Sequence, residues 1–170
     1  MGNSLERESG EIKDKVFCSD VYVSESGFST EQNKFDGAFA RVSFQEGDLI
    51  EYGIVRVLPE GFDGNLSPYV FTWSDEIPNK RWGMASGCAT FYNTSIKDAN
   101  VKMERDFTNN TFKIIALRDI EKDEELLHTY KSLQWRTCFT EIKETLNNSF
   151  EKTVEDSVNS TINSNILSEN

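Results

Sequence analysis

A chain with one histidine and three cysteines has few routes to covalent or metal chemistry. A Ser–His–Asp or Cys–His relay could draw only on His128, and no GxSxG turn accompanies any serine. Cys18, Cys88 and Cys138 are scattered, without the CxxC pairs of a zinc cluster, so no metal site is expected. An odd count without framework spacing fits a reducing compartment. No GxxxxGK[ST] stretch is present, which removes the P-loop chemistries. Asp123, Glu124 and Glu125 are contiguous and read as a solvated turn, because a hydrolytic carboxylate pair comes from separate elements. Three segments remain, in a fixed order: Asp36-Gly37-Ala38-Phe39-Ala40-Arg41, then Gly87–Ser95 (GCATFYNTS) with Asn100 after it, then Ile115–Tyr130 (IALRDIEKDEELLHTY).

The elements that must position these segments are short strands. Val16–Val23, Leu49–Leu58, Pro68–Trp73, Gly87–Asn93, Val101–Arg105 and Thr111–Leu117 are the strand candidates, rich in β-branched and aromatic residues. Asn109-Asn110 between two of them predicts a hairpin, and Glu46-Gly47-Asp48 a turn. No long helical pattern separates the strands, which favours a mainly β domain over a doubly wound sheet. One helix is expected over Lys131–Leu146, where Trp135, Phe139, Ile142 and Leu146 fall on one face at helical period. Residues 1–13 and 147–170 are polar or rich in Asn, Ser and acid. They cannot offset an ordering cost of about 1–2 kcal/mol per residue, so both are expected to be disordered tails around a domain at 14–146.

Taken in order, the three segments resemble the SET-domain family of protein lysine methyltransferases, above all the minimal virus-type members that lack a zinc-binding tail. The third segment is similar to the family's A-x-R-D-I-x-x-G-E-E-L-x-x-x-Y, the second to N-H-S-x-x-P-N, the first to G-x-G-x-F-A. The likeness runs from about Phe35 to Trp135. Departures are Phe35 for the first glycine, Thr94 for histidine, Ala99 for proline with one extra residue before Asn100, Asp123 for glycine, and Lys131 for the glycine after the tyrosine.

The resemblance implies a β-clip, SET-type fold with a knot-like crossing of its C-terminal segments, and methyl transfer from S-adenosylmethionine to a protein lysine. It places Tyr130 beside the transferring methyl. It assigns cofactor contacts to Asp36, Gly37 and Ala38, to Tyr92, Asn93 and Thr94, and to Trp135 as a cover for the adenine. Tyr69 and Phe91 are the expected walls of the lysine channel. Glu124 and Glu125 are expected to fix their turn. The chemistry has a physical requirement of its own. A lysine with pKa near 10.4 loses its proton at neutral pH at a cost of roughly 4–5 kcal/mol. A narrow aromatic passage favours the neutral amine and aims its lone pair, and the composition allows one, with twelve Phe, five Tyr and three Trp.

Charge bears on the partners. The chain carries 29 acidic and 18 basic residues, a net charge of −11. That balance repels phosphate backbones and anionic lipids, so no nucleic-acid groove or membrane surface is expected, while lysine-bearing basic peptides are attracted. A histone tail is one such substrate. No apolar run is long enough to span a bilayer, and no signal peptide precedes the first polar stretch, so an intracellular setting, nucleus or cytoplasm, is expected. Two other readings stay open: a SET-like module without catalysis that binds basic peptides or recruits partners, and an unrelated β-rich interaction protein.

Overall fold

Val, Ile, Phe and Tyr recur at alternate positions in short runs, and most of these runs form strands. The computed structural model describes residues 14–76, 81–140 and 142–143. Both expected tails lie outside these residues. The chain divides into two units, one of Met1–Phe62 with Tyr69–Tyr130, the other of Asp63–Pro68 with Lys131–Asn170.

The first unit is built from strands. β1 (Val21–Glu25) and β2 (Asp36–Ala40) form an antiparallel two-stranded sheet, in register from Val21 opposite Ala40 to Glu25 opposite Asp36. β3 (Leu49–Val57), β4 (Phe71–Thr72), β5 (Trp82–Ala85), β6 (Val101–Asp106) and β7 (Thr111–Ala116) form a five-stranded antiparallel sheet in the order β4-β5-β3-β7-β6. The β6–β7 hairpin turns where expected, with Asn110 in the left-handed region at φ 51°. The large sheet curls. Arg105 on edge strand β6 donates to the carbonyl and hydroxyl oxygens of Thr72 on the opposite edge, both at 3.1 Å. Trp73, next to β4, donates through Nε1 to Asn110 Oδ1 at 2.9 Å and meets Phe107 edge-on. The core within the curl holds Ile50, Trp73, Val101, Phe112, Ile114, Ile120 and Leu126.

β3 carries an irregularity that matters for function. Its pairing with β7 shifts register between Leu49 and Glu51, and Ile50 and Glu51 are both fully buried. A regular strand would turn one of two successive side chains outward; a bulge lets both point in.

Four expected elements differ. Of Val16–Val23 only Val21–Val23 lies in a strand, with Phe17 in an isolated bridge to Tyr52. Gly87–Asn93 is not a strand: Gly87 adopts φ 67°, and a 3-10 helix follows at Ala89–Phe91. A left-handed residue cannot continue a pleated strand. In the Pro68–Trp73 stretch only Phe71–Thr72 pairs, and Tyr69 lies on a turn. The amphipathic helix expected over Lys131–Leu146 does not begin at Lys131: Lys131–Trp135 is turn and Thr137–Phe139 a 3-10 helix, Thr140, Ile142 and Lys143 are helical, and Glu141 and 144–146 lie outside the described residues. The reason is visible in which residues are buried. Leu133, Arg136 and Phe139 are buried, three apart as a 3-10 turn requires, and Trp135 is 53% exposed. Within the second unit the Arg136 guanidinium donates to the carbonyls of Gly64 and Ser67 and stacks over Phe139 at 4.7 Å. A buried cation in that place breaks the periodicity read from apolar residues alone.

The β3–β7 contact leaves no room above Gly53. A Cβ there would stand 2.7 Å from Phe112 Cε1, beside the Ser86 hydroxyl that accepts from Ile54 N–H at 3.0 Å. Gly53→Ala should therefore cost about 1–3 kcal/mol, read as a lowered urea midpoint; an unchanged midpoint would contradict this packing.

Candidate functional site

Two segments far apart in sequence cross in the first unit: residues 93–101, and residues 124–130 that close the third motif. Their crossing is locked by Asn100, which is 1% exposed. Its Nδ2 donates to Glu124 Oε1 at 2.9 Å and to the Glu125 carbonyl at 2.8 Å, while its Oδ1 accepts from Leu127 N–H at 2.7 Å. Backbone bonds run from Asn100 and Val101 N–H to the Leu127 carbonyl, and from His128 N–H to the Asn93 carbonyl. His128 forms parallel bridges with both Thr94 and Val101, so it passes between the two ends of that loop.

The crossing brings the expected catalytic tyrosine to the asparagine segment. Tyr130 Oη donates to the Tyr92 carbonyl at 2.7 Å, and Tyr130 N–H to Thr94 Oγ1 at 3.2 Å. Tyr92 is buried with its ring turned away, its hydroxyl donating to Glu51 Oε2 at 2.7 Å. Burial, followed by the Glu51 charge, raises the Tyr92 pKa, so the phenol keeps its proton and donates. Thr94 is buried too.

A second cluster surrounds Asn93. Its Nδ2 donates to the Asp36 carbonyl and to Glu125 Oε1, both at 3.0 Å. Glu125 does not stay in its turn. Its carboxylate crosses to the end of β1, accepting from the Ser26 hydroxyl at 2.6 Å and Gly27 N–H at 3.0 Å. It lies against Gly37, where a Cβ would overlap Oε1 and stand 3.2 Å from Asn93 Nδ2. Gly37 is thus a strand residue of β2 that makes room for a carboxylate. Glu124, in contrast, does fix the turn. It pairs with Arg118 at 2.6 Å and accepts from Glu121 N–H at 3.1 Å. Partial burial raises its pKa, but Arg118 and Asn100 outweigh that and hold it below the usual value.

The expected site residues divide accordingly. Asp36, Gly37 and Asn93 come together, as do Tyr92, Thr94 and Tyr130. Ala38 is fully buried in β2 with its carbonyl taken by Leu126 N–H, so its side chain faces the core. Tyr69 and Phe91 are exposed, at 66% and 37%. Trp135 belongs to the second unit. Among the described residues no group of His, Cys, Asp and Glu could hold a metal ion, and no helix is long and apolar enough to cross a membrane.

Glu51 was not legible as a site residue. Its Oε1 accepts from Cys88 N–H at 2.8 Å and its Oε2 from Tyr92, so it pins both ends of the 3-10 turn that leads into Asn93. A Cβ on Gly87 would overlap the same carboxylate. Burial, then the nearby Glu51 charge, pushes the Cys88 thiol up to about 12, which leaves it protonated and a poor nucleophile. Burial also raises Glu51 to about 7, against the opposing pull of the Tyr92 and Cys88 hydrogen bonds. The folded state thus holds this proton more tightly than the unfolded chain, where the carboxyl titrates near 4.5. The contribution to stability is complete below that value and is lost as pH rises through about 7. The loss is roughly 3 kcal/mol. Wild-type stability, measured by urea unfolding relative to Glu51→Gln, should fall by that amount between pH 4.5 and 7.5; a pH-independent difference would contradict it.

A family profile described as SET domain matches residues 36–131, more than half of the chain. Among solved structures, a candidate histone methyltransferase of Plasmodium falciparum superposes with TM-score 0.50 at 22% identity, covering 65% of this chain and 92% of the other. A humanized mutant of the Chaetomium thermophilum Polycomb Repressive Complex 2, bound to an inhibitor, gives TM-score 0.49 at 20% identity over 65% of this chain and 15% of that one. No curated protein matches significantly. Motif order, strand topology and the family profile agree: the chain belongs to the SET-domain family.

Proposed function

We propose that this protein is a protein-lysine N-methyltransferase that uses S-adenosylmethionine. The observation that carries the reading is the 2.7 Å bond from Tyr130 Oη to the Tyr92 carbonyl, which sets the tyrosine hydroxyl beside the Asn93 segment across 38 residues of sequence. The cofactor, when bound, supplies an electrophilic methyl group on a sulfonium. Two acceptors meet beside Gly37, the Asp36 carbonyl and the Glu125 carboxylate, and both hold the NH2 end of Asn93, which leaves its Oδ1 as the acceptor suited to a cationic ammonium end. Asp36, Gly37, Asn93 and Thr94 are the residues assigned to hold the cofactor.

The Tyr130 hydroxyl donates its one hydrogen bond to the Tyr92 carbonyl, so its oxygen meets further polar groups as an acceptor. It can thereby orient an incoming amine and accept weak C–H hydrogen bonds from a polarised methyl. Tyr69 and Phe91, both exposed, offer aromatic faces to a lysine stem and its charge. The substrate is a lysine-bearing basic protein segment, a histone tail among the candidates, drawn by the net charge of −11.

Two measurements test this. S-adenosylmethionine at about 100 times its dissociation constant adds about 2.7 kcal/mol and should raise the melting midpoint by roughly 5–10 °C, an increase that Asn93→Ala removes. No shift at millimolar cofactor would favour the cofactor-independent peptide-binding module instead. Tyr130→Phe should lower methyl transfer to a lysine peptide about 100-fold while its melting curve stays cooperative; an unchanged rate would remove Tyr130 from its assigned role.

A further inference from the structure

We infer that Glu125 is a positioning residue that fixes which end of the Asn93 amide faces the cofactor, and so makes the site selective for a ligand bearing an α-ammonium. This inference rests on the cofactor reading above.

The two ends of an asparagine amide are chemically opposite, one a double donor and the other an acceptor. Which end faces a ligand is set by what holds the other. Asn93 has two partners for its side chain, the Asp36 carbonyl and Glu125 Oε1, both at 3.0 Å. A backbone carbonyl accepts only, so the Asp36 carbonyl must meet the NH2 end, whose other N–H reaches Glu125 Oε1, and this network assigns the amide. Both N–H groups are thereby used. Oδ1 has no hydrogen-bond partner among the described residues, and Asn93 is partly exposed. What the side chain offers outward is an acceptor, which matches an ammonium and repels a carboxylate.

Glu125 is held firmly enough to impose this. Oε1 also accepts from the Ser26 hydroxyl at 2.6 Å, and Ser26 is 3% exposed. Oε2 accepts from Gly27 N–H at 3.0 Å. Gly37 provides the space in which the carboxylate sits. The Asp36 carbonyl alone would hold one N–H and leave the amide free to swing.

The test compares binding of S-adenosylhomocysteine with that of its deaminated analogue, which keeps the carboxylate and lacks the amine, by titration calorimetry. The wild type should prefer the amine-bearing compound strongly. Glu125→Met keeps the volume and removes the acceptor, and should reduce that preference about tenfold, the size of one charge-assisted hydrogen bond. Glu125→Gln keeps one acceptor oxygen for Ser26 and Asn93 but turns its NH2 toward Gly27 N–H, and should lose less of the preference than Glu125→Met although the charge is gone. If Glu125→Met does not fold, Gly37→Ala gives the same displacement from the opposite side and should reduce the preference likewise. A preference unchanged in Glu125→Met or Gly37→Ala overturns the inference. Equal loss in Glu125→Gln and Glu125→Met also overturns it, because direct charge contact with the ligand would then be the cause. A wild type that binds neither compound overturns the cofactor reading itself, and the inference with it.

Discussion

Asn100 spends every side-chain hydrogen-bonding group it has on one neighbouring segment. Two donors reach Glu124 and the Glu125 carbonyl, and one acceptor takes Leu127 N–H, all at 2.7–2.9 Å and shielded from water. A buried amide left half-satisfied would be a liability; fully satisfied, it holds two segments in one register. Residues 93–101 and 124–130 have no strand-length ladder to align them, only isolated bridges. The relative placement of Asn93, Glu125 and Tyr130 therefore depends on this one side chain more than on the surrounding sheet.

The three glutamates near the crossing show how environment divides one chemical group into different tasks. Glu124 is partly solvated, paired with Arg118, and stays ionised through the physiological range. Among the described residues Glu51 has no cationic partner and is compensated by two hydrogen bonds, so desolvation wins and its proton is lost only near neutrality. Glu125 is half-buried, with three donors around it that hold it at the Asn93 side chain. Only the first is a turn residue in the sense that a run of acids suggests.

Much of the fold was legible in the sequence, because β3, the β6–β7 hairpin and β7 are marked by alternating apolar residues and by Asn-Asn turn chemistry. The order of the three motifs likewise pointed to the Asn93 and Tyr130 segments that the fold brings together. What escaped was set by tertiary contacts. Glu51 reads as an outward strand residue unless the bulge after Leu49 is known, and nothing local announces that bulge. Gly87–Asn93 has strand composition, but Glu51 holds Cys88 and Tyr92 at a spacing that only a tight turn satisfies. The stretch after Tyr130 has an apolar stripe at helical period, yet the burial of Arg136 on two carbonyls sets a different face.

Gly37 and Gly87 show the same device twice. A glycine in a motif is ordinarily read as a turn or as an approach for a ligand. Here each faces a carboxylate where a Cβ would be, Glu125 at Gly37 and Glu51 at Gly87. Each carboxylate then binds the neighbouring asparagine segment, one through the Asn93 side chain and the other through Cys88 and Tyr92. The segment is thus gripped from two sides by acids that lie 74 positions apart in the numbering (125 − 51) on different elements. Any side chain larger than hydrogen at either glycine would push an acid off its donors, so these positions are constrained by the acids they seat as much as by a ligand. That constraint explains how the site keeps its shape although Phe35 replaces the other glycine of the first motif: what Gly37 must accommodate is already part of the chain.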